Sequence, residues 1–162
     1  MGEADADDDP KVELDGTQLE AVDYAVQGHN IFLTGVAGTG KSLVTQRIIA
    51  SLRSSGKKVS VAASTGVAAV AIGGATLHSL AGSGVPKGAK DFGRIWSNKL
   101  SVKTWKNMDV LVLDEVGMLA ADFLEWLDHT IRDLRGEPSA AFGGIQLIFV
   151  GNCFPYFLEA LA

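Results

Sequence analysis

The sequence predicts an α/β domain of three layers, with helices on both faces of a mostly parallel sheet. Helical stretches alternate with short apolar runs along the chain, a pattern that builds parallel sheets. A glycine-rich turn joins one such run to the next helix over residues 35–40. A second run, Val110 to Leu113, ends in two adjacent acids.

The 162 residues hold one domain with a sizeable core. The composition, 47% hydrophobic and 20% charged, is that of an ordinary globular protein. The longest apolar runs, Val110 to Leu113 and Ile145 to Val150, are strand-sized and far short of the ~20 residues of a membrane span. The single cysteine, Cys153, leaves no internal disulfide and fits a reducing compartment. Of the net charge of −5, all is carried by Glu3, Asp5, Asp7, Asp8 and Asp9, so −5 minus −5 leaves zero for residues 11–162. Residues 1–10 read as an acidic, disordered lead-in, neither a secretory signal nor an Arg-rich transit peptide. The neutral body gives no bulk-charge support for a nucleic-acid partner, so any such partner must be argued from motifs.

The first helix is expected from Thr17 to Gln27, capped by Asp15 or Thr17 and stopped by Gly28. Ile31 to Thr34 reads as a buried strand, Leu43 to Leu52 as a helix, and Val59 to Ala63 as a second strand. A short helix, Val67 to Ile72, stops at Gly73-Gly74. Residues 81–99, rich in Gly, Lys and Pro, read as a surface excursion. Val110 to Leu113 is a third strand. Asp122 to Leu134 is a helix with Phe123, Leu127, Ile131 and Leu134 at helical spacing. Ile145 to Val150 is a fourth strand.

Gly35-Val36-Ala37-Gly38-Thr39-Gly40-Lys41-Ser42 matches G-x-x-x-x-G-K-[ST] between a strand and a helix. Glycines let the backbone curl until successive N–H groups point at phosphate oxygens, and the following helix adds its positive end. Lys41 is placed to reach the β- and γ-phosphates and the Ser42 hydroxyl to ligate Mg²⁺. Asp114-Glu115 closes an apolar strand, so Asp114 emerges at the carboxyl edge of the sheet, where ligands of such sheets bind. A carboxylate there holds Mg²⁺ through its water shell, and Glu115 orients and deprotonates the attacking water. The expected cofactors are therefore ATP and Mg²⁺, on a RecA-like P-loop NTPase domain.

Finer segments resemble the PIF family of superfamily-one DNA helicases. Leu14-Asp15-Gly16-Thr17-Gln18 resembles the family's Q motif, which implies that Gln18 hydrogen-bonds the adenine edge. Ala63-Ser64-Thr65-Gly66-Val67-Ala68-Ala69 and Gly73-Gly74-Ala75-Thr76-Leu77-His78-Ser79 resemble the segment lining the single-strand path, which implies DNA contacts at Ser64, Thr65, Gly66 and His78. Asp114-Glu115-Val116-Gly117-Met118 resembles the Asp-Glu-x-x-Met box, and Phe142 to Gly151 the strand entering the third motif. The resemblance covers residues 12–154 and implies the first motor domain of a 5′-to-3′ helicase acting in repair, recombination and telomere maintenance. It also implies single-stranded DNA or junctions as partners, a monomeric chain, and a nuclear or mitochondrial compartment.

The third motif departs from the family's Gly-Asp-x-x-Gln-Leu-Pro-Pro. Asn152 stands for the aspartate, Pro155 for the glutamine, and the match is lost beyond Phe154. The second motor domain and its arginine finger are not in the sequence. The 162-residue chain is thus expected neither to unwind DNA nor to hydrolyse ATP briskly alone, since that arginine supplies about 10³ to 10⁵ in rate. A non-catalytic ATP- or DNA-binding remnant is the alternative. A small-molecule kinase lacks support, because no second substrate-binding signature is present. Trp126 is expected to be structural; Trp96 and Trp105 are left open between packing and base stacking. The basic stretch of Lys87, Lys90, Arg94, Lys99, Lys103 and Lys106 reads first as a solvated face.

Overall fold

The computed structural model describes residues 13–152. The acidic lead-in and the departures at Cys153, Phe154 and Pro155 lie outside the described residues.

Asp15 starts the first helix. Its carboxylate accepts from the Gln18 N–H at 2.9 Å, and Gln18 Oε1 accepts from the Asp15 N–H at 3.0 Å. This capping box satisfies two donors at the start of α1, Gly16–Val26. Gly28, at φ +94°, turns the chain into β1, Ile31–Leu33. Helix α2, Lys41–Ser54, begins two residues before its apolar periodicity does, so Lys41 and Ser42 occupy its first turn. Strand β2, Val59–Ala63, leads through a Thr65 cap into α3, Gly66–Ile72. Gly74 passes against the Val61 carbonyl, leaving no room for a Cβ. That approach lets Ala75–Thr76 pair as β3, after which Thr76 caps α4, Leu77–Ala81. A 3₁₀ turn over Ala89–Gly93 runs into α5, Arg94–Ser97, and α6, Lys99–Asn107. Strand β4, Val110–Asp114, is followed by α7, Ala121–Arg135, and β5, Gln146–Val150.

The five strands lie in the order β1-β5-β4-β2-β3, and every pairing is parallel. Side chains alternate across a strand, and the two central strands divide theirs between two cores. Val110, Val112 and Ile148 join Val44, Ile48, Ile49 and Leu52 of α2 and Val22 and Ala25 of α1. Leu111, Leu113, Leu147 and Phe149 join the larger core with Leu77, Phe92, Ile95, Trp105, Phe123, Leu127 and Ile131. The expected three layers are present.

Three expectations need correction or extension. The stretch 81–99 is not a surface excursion. Ala81, Ser83, Phe92 and Ile95 are at most 1% exposed, because two large apolar side chains three residues apart outweigh the Gly, Lys and Pro around them. Trp105 is fully buried and so has no face to offer a base. Strand β3 and helices α4 to α6 are too short for periodicity to reveal. Trp126 packs on the larger core with its ring 6.0 Å from Phe92, as expected for a structural residue.

The end of α7 is tied down by a polar network. Arg135 donates to the carbonyls of Trp105 at 2.6 Å, Met108 at 3.1 Å and Lys106 at 3.2 Å, and to Gly143 at 2.8 Å. It thereby satisfies carbonyls that the end of α6 leaves without helical partners. Buried Asp128 accepts from the Phe142 N–H and from Arg132 Nε at 2.8 Å. The hydrogen bond to Asp128 pushes the Arg132 guanidinium above its ordinary value, so it stays charged at any working pH. Phe142 sits at φ +47°, a conformation this network holds in place.

Candidate functional site

The loop between β1 and α2 exposes backbone rather than side chains. Gly35, Gly38 and Gly40 have φ of +153°, +84° and +77°, where a Cβ is strained. Space is short as well: a Cβ on Gly35 would stand 2.8 Å from Thr39 Oγ1, and one on Gly40 2.8 Å from Gln18 Nε2. Thr39 Oγ1 donates to the Val36 carbonyl at 2.9 Å, closing the loop on itself. Lys41 Nζ donates to the carbonyls of Gly35 at 2.5 Å and Val36 at 3.1 Å, so the ammonium lies at the loop's mouth. Gln18 Nε2 donates to the Thr39 carbonyl at 3.1 Å and ties the start of α1 to the loop.

The sheet register brings the other residues to the same edge. Phe32 and Leu33 pair with Phe149 and Val150, Leu113 pairs with Phe149, and Ala63 with Asp114. The turns after β1, β4 and β5 therefore share one rim. A cleft of ≈ 460 Å³ there is lined by Ala37, Lys41, Ser42, Asp114, Glu115, Gly117, Met118 and Asn152. Asp114 Oδ1 accepts from the Glu115 N–H at 2.8 Å, which fixes the carboxylate. Glu115 is exposed in a left-handed turn at φ +51°, and Gly151 donates to the Leu33 carbonyl at 3.0 Å. A second hollow of ≈ 360 Å³ lies on the other flank of the loop, against Asp15, Gln18, Thr34, Thr39, Lys41 and Val44. Lys41 lines both.

Ser64, Thr65 and Gly66 follow β2 on the same rim. The Ser64 N–H donates to the Asp114 carbonyl at 3.2 Å, and Thr65 Oγ1 accepts from the Ala68 N–H at 3.3 Å. The Ser64 hydroxyl is buried with no hydrogen-bond partner among the described residues. His78, in α4 beside them, is half-buried with its ring 4.4 Å from that of Phe123. Met118, 71% exposed, also lines the cleft, and only the Asp-Glu-x-x-Met spacing marks it in the sequence. The capping and latching roles of Gln18 also had no signal beyond the Asp15-to-Gln18 spacing.

A family model described as PIF1-like helicase matches residues 16–157, which extends past Phe154. The chain is 43% identical over 145 residues to the ATP-dependent DNA helicase PIF1 of Saccharomyces cerevisiae, covering 87% of this chain and 17% of that protein. It is 40% identical over 143 residues to the mouse ATP-dependent DNA helicase PIF1, covering 88% of this chain and 22% of that protein. The chain thus spans about a fifth of the length of these relatives. Among solved structures, the Pif1 helicase of Candida albicans superposes with a TM-score of 0.82 at 40% identity, covering 86% of this chain and 32% of that one. A Bacteroides Pif1 in complex with ADP-AlF3 and ssDNA superposes at 0.72 with 32% identity, covering 86% of this chain and 32% of that one. The shared rim of loop, acids and strand ends, and a family match running nearly the length of the described residues, lead to one conclusion: the chain belongs to the PIF1-like helicase family.

Proposed function

We propose that this chain is the nucleotide-binding part of a motor that couples Mg-ATP hydrolysis to DNA unwinding. One observation carries the reading: Lys41 and Ser42 line a single cleft with Asp114 and Glu115, which lie 73 residues further on (114 − 41). On this reading Gly35 to Ser42 cradle the phosphates, Lys41 exchanges its loop carbonyls for phosphate oxygens, and Glu115 accepts the proton of the attacking water. Ser42 and Asp114 hold Mg²⁺, which supplies charge neutralisation on the phosphates when bound. That donor set fits: one hydroxyl and one carboxylate line the same cleft, and Mg²⁺ prefers oxygen donors and takes few protein ligands beside phosphate and water. Gln18 and the second hollow take the adenine.

Ser64, Thr65, Gly66 and His78 face the DNA strand, and single-stranded DNA or a junction is the partner. The Bacteroides structure named above is described as holding both a nucleotide analogue and ssDNA. Roles in repair, recombination and telomere maintenance, a monomeric state, and a nuclear or mitochondrial compartment complete the reading. Residues 1–10 serve as a lead-in to the motor domain. No described helix is long and apolar enough to cross a membrane.

Asn152 favours a second reading, in which the site binds Mg-ATP without brisk turnover. It lines the cleft as a neutral amide where the family pattern carries a carboxylate. Titration calorimetry of the 162-residue chain with Mg-ATP tests both readings. Saturable binding is expected, weakened roughly 10- to 100-fold in Lys41→Ala through loss of a charge-assisted contact. Undiminished affinity in that variant removes the assignment of the loop. Binding without DNA-stimulated phosphate release favours the second reading.

A further inference from the structure

We infer that the α5–α6 hairpin is a second contact surface for single-stranded DNA, made by the lysines of α6 and the ring of Trp96. The inference rests on the DNA reading above and adds a surface that reading does not use.

The six basic residues between 87 and 106 do not form one group. Asp91 accounts for one of them: its carboxylate lies 3.7 Å from the Arg94 guanidinium, and it accepts from the backbone amide of Lys87 at 2.7 Å without engaging that residue's ammonium. Lys87 and Lys90 lie outside α6, whereas Lys99, Lys103 and Lys106 share one helix. They stand at i, i+4 and i+7 of α6, all exposed, and none has an ion-pair partner among the described residues. At ~1.5 Å per residue they make a ridge with steps of about 6 and 4.5 Å along one helix face. No acid lies between Asp91 and Asp109 in the sequence, and Glu137, which shares a hollow with Lys106, forms no ion pair with it.

Helix stability does not explain the ridge. Lys99 sits in the first turn, where the helix dipole disfavours a cation, and that turn carries no acid. The opposite face does the structural work through buried Ser101 and Trp105. Trp96 is likewise unexplained by packing. It is 52% exposed and makes no ring contact among the described residues, although Ile95 beside it is fully buried. Leu100, next to Lys99 in the first turn of α6, is 74% exposed. Regular cations and an exposed aromatic ring three residues before the first of them suit a phosphodiester strand with unstacked bases.

The hairpin is seated against the proposed DNA rim. Gly82, the left-handed end of α4, lies so close to Ser101 and Asn98 that a Cβ would collide with the Ser101 side chain. The turn between α5 and α6 is thus pressed onto the helix that carries His78, and Lys99, next to Asn98, is the lysine nearest that helix.

The test uses the intact chain and a labelled oligo(dT). Anisotropy gives affinity as a function of KCl concentration, and tryptophan emission reports stacking. Trp105 is buried and Trp126 packed, so quenching by DNA is expected to come from Trp96 and to vanish in Trp96→Phe. Trp96→Ala is expected to weaken binding ~5- to 100-fold. Lys99→Gln/Lys103→Gln/Lys106→Gln is expected to make the log–log salt slope shallower by about 2, at ~0.7 per phosphate contact. Mg-ATP affinity should be unchanged in all three. Wild-type binding with an unaltered affinity and slope in the triple variant overturns the hairpin surface alone. A wild-type chain that binds Mg-ATP and no oligo(dT) overturns the DNA reading together with it.

Discussion

The loop over residues 35–42 and the stretch over 82–107 are both rich in glycine, and they are held together by opposite means. The first buries none of its side chains; its shape comes from left-handed glycines and bonds from Thr39, Lys41 and Gln18 to its own carbonyls. The second is pinned by Phe92, Ile95 and Trp105, each at most 1% exposed, and by Arg135 closing the end of α6. Backbone geometry shapes the first and apolar burial the second. Changes in one should alter ligand binding, whereas changes in the other should alter folding.

Trp105→Ala should separate the two most sharply. It is expected to lower unfolding stability by about 3–5 kcal/mol in urea titrations, as for other buried aromatic residues. A loss below ~1 kcal/mol would mean that the 82–107 stretch does not depend on this anchor. Arg135→Ala comes next, at roughly 2–3 kcal/mol, because carbonyls of Trp105, Met108 and Gly143 lose their donor. Arg135→Lys should recover little of it, since an ammonium cannot reproduce the guanidinium fork. Gly40→Ala tests the loop from the other side. The left-handed seat should cost about 1–2 kcal/mol, while Mg-ATP binding, read by calorimetry, falls by more than that stability loss implies. Unchanged nucleotide affinity would show that the loop tolerates a normal backbone there. Asp15→Ala should be mildest, near 1 kcal/mol from the lost cap, visible as reduced stability in urea titrations.

The same contrast explains what could be read from the chain. Loop glycines, Lys41, Ser42, Asp114 and the strands on either side were legible because each demands a residue type at a fixed spacing. The alternation of β4 and β5 between two cores was implied by runs such as Val110 to Leu113. Phe92, Ile95 and Trp105 were not legible as anchors, because their partners lie in separate elements, α4, α7 and β4, whose meeting no local pattern announces. Composition pointed the wrong way there, since the Gly, Lys and Pro that face water outnumber the few side chains that hold the segment. His78 shows an intermediate case: its position beside β2 and β3 follows from the sheet, but its ring contact with Phe123 comes from packing alone.

The Gln18 carboxamide carries a consequence for recognition. A carboxamide offers two N–H donors and two acceptor lone pairs. One lone pair is engaged by the Asp15 N–H and one N–H by the Thr39 carbonyl, which also fixes which end of the group is oxygen and which nitrogen. One donor and one acceptor remain, on a group that cannot turn over without breaking both bonds. An adenine edge presents the complementary pair, the N6 amino hydrogen and the N7 lone pair, whereas guanine offers two acceptors, N7 and O6, on that edge. If Gln18 reads the base, the choice of ATP over GTP is therefore encoded in the helix cap that starts the fold.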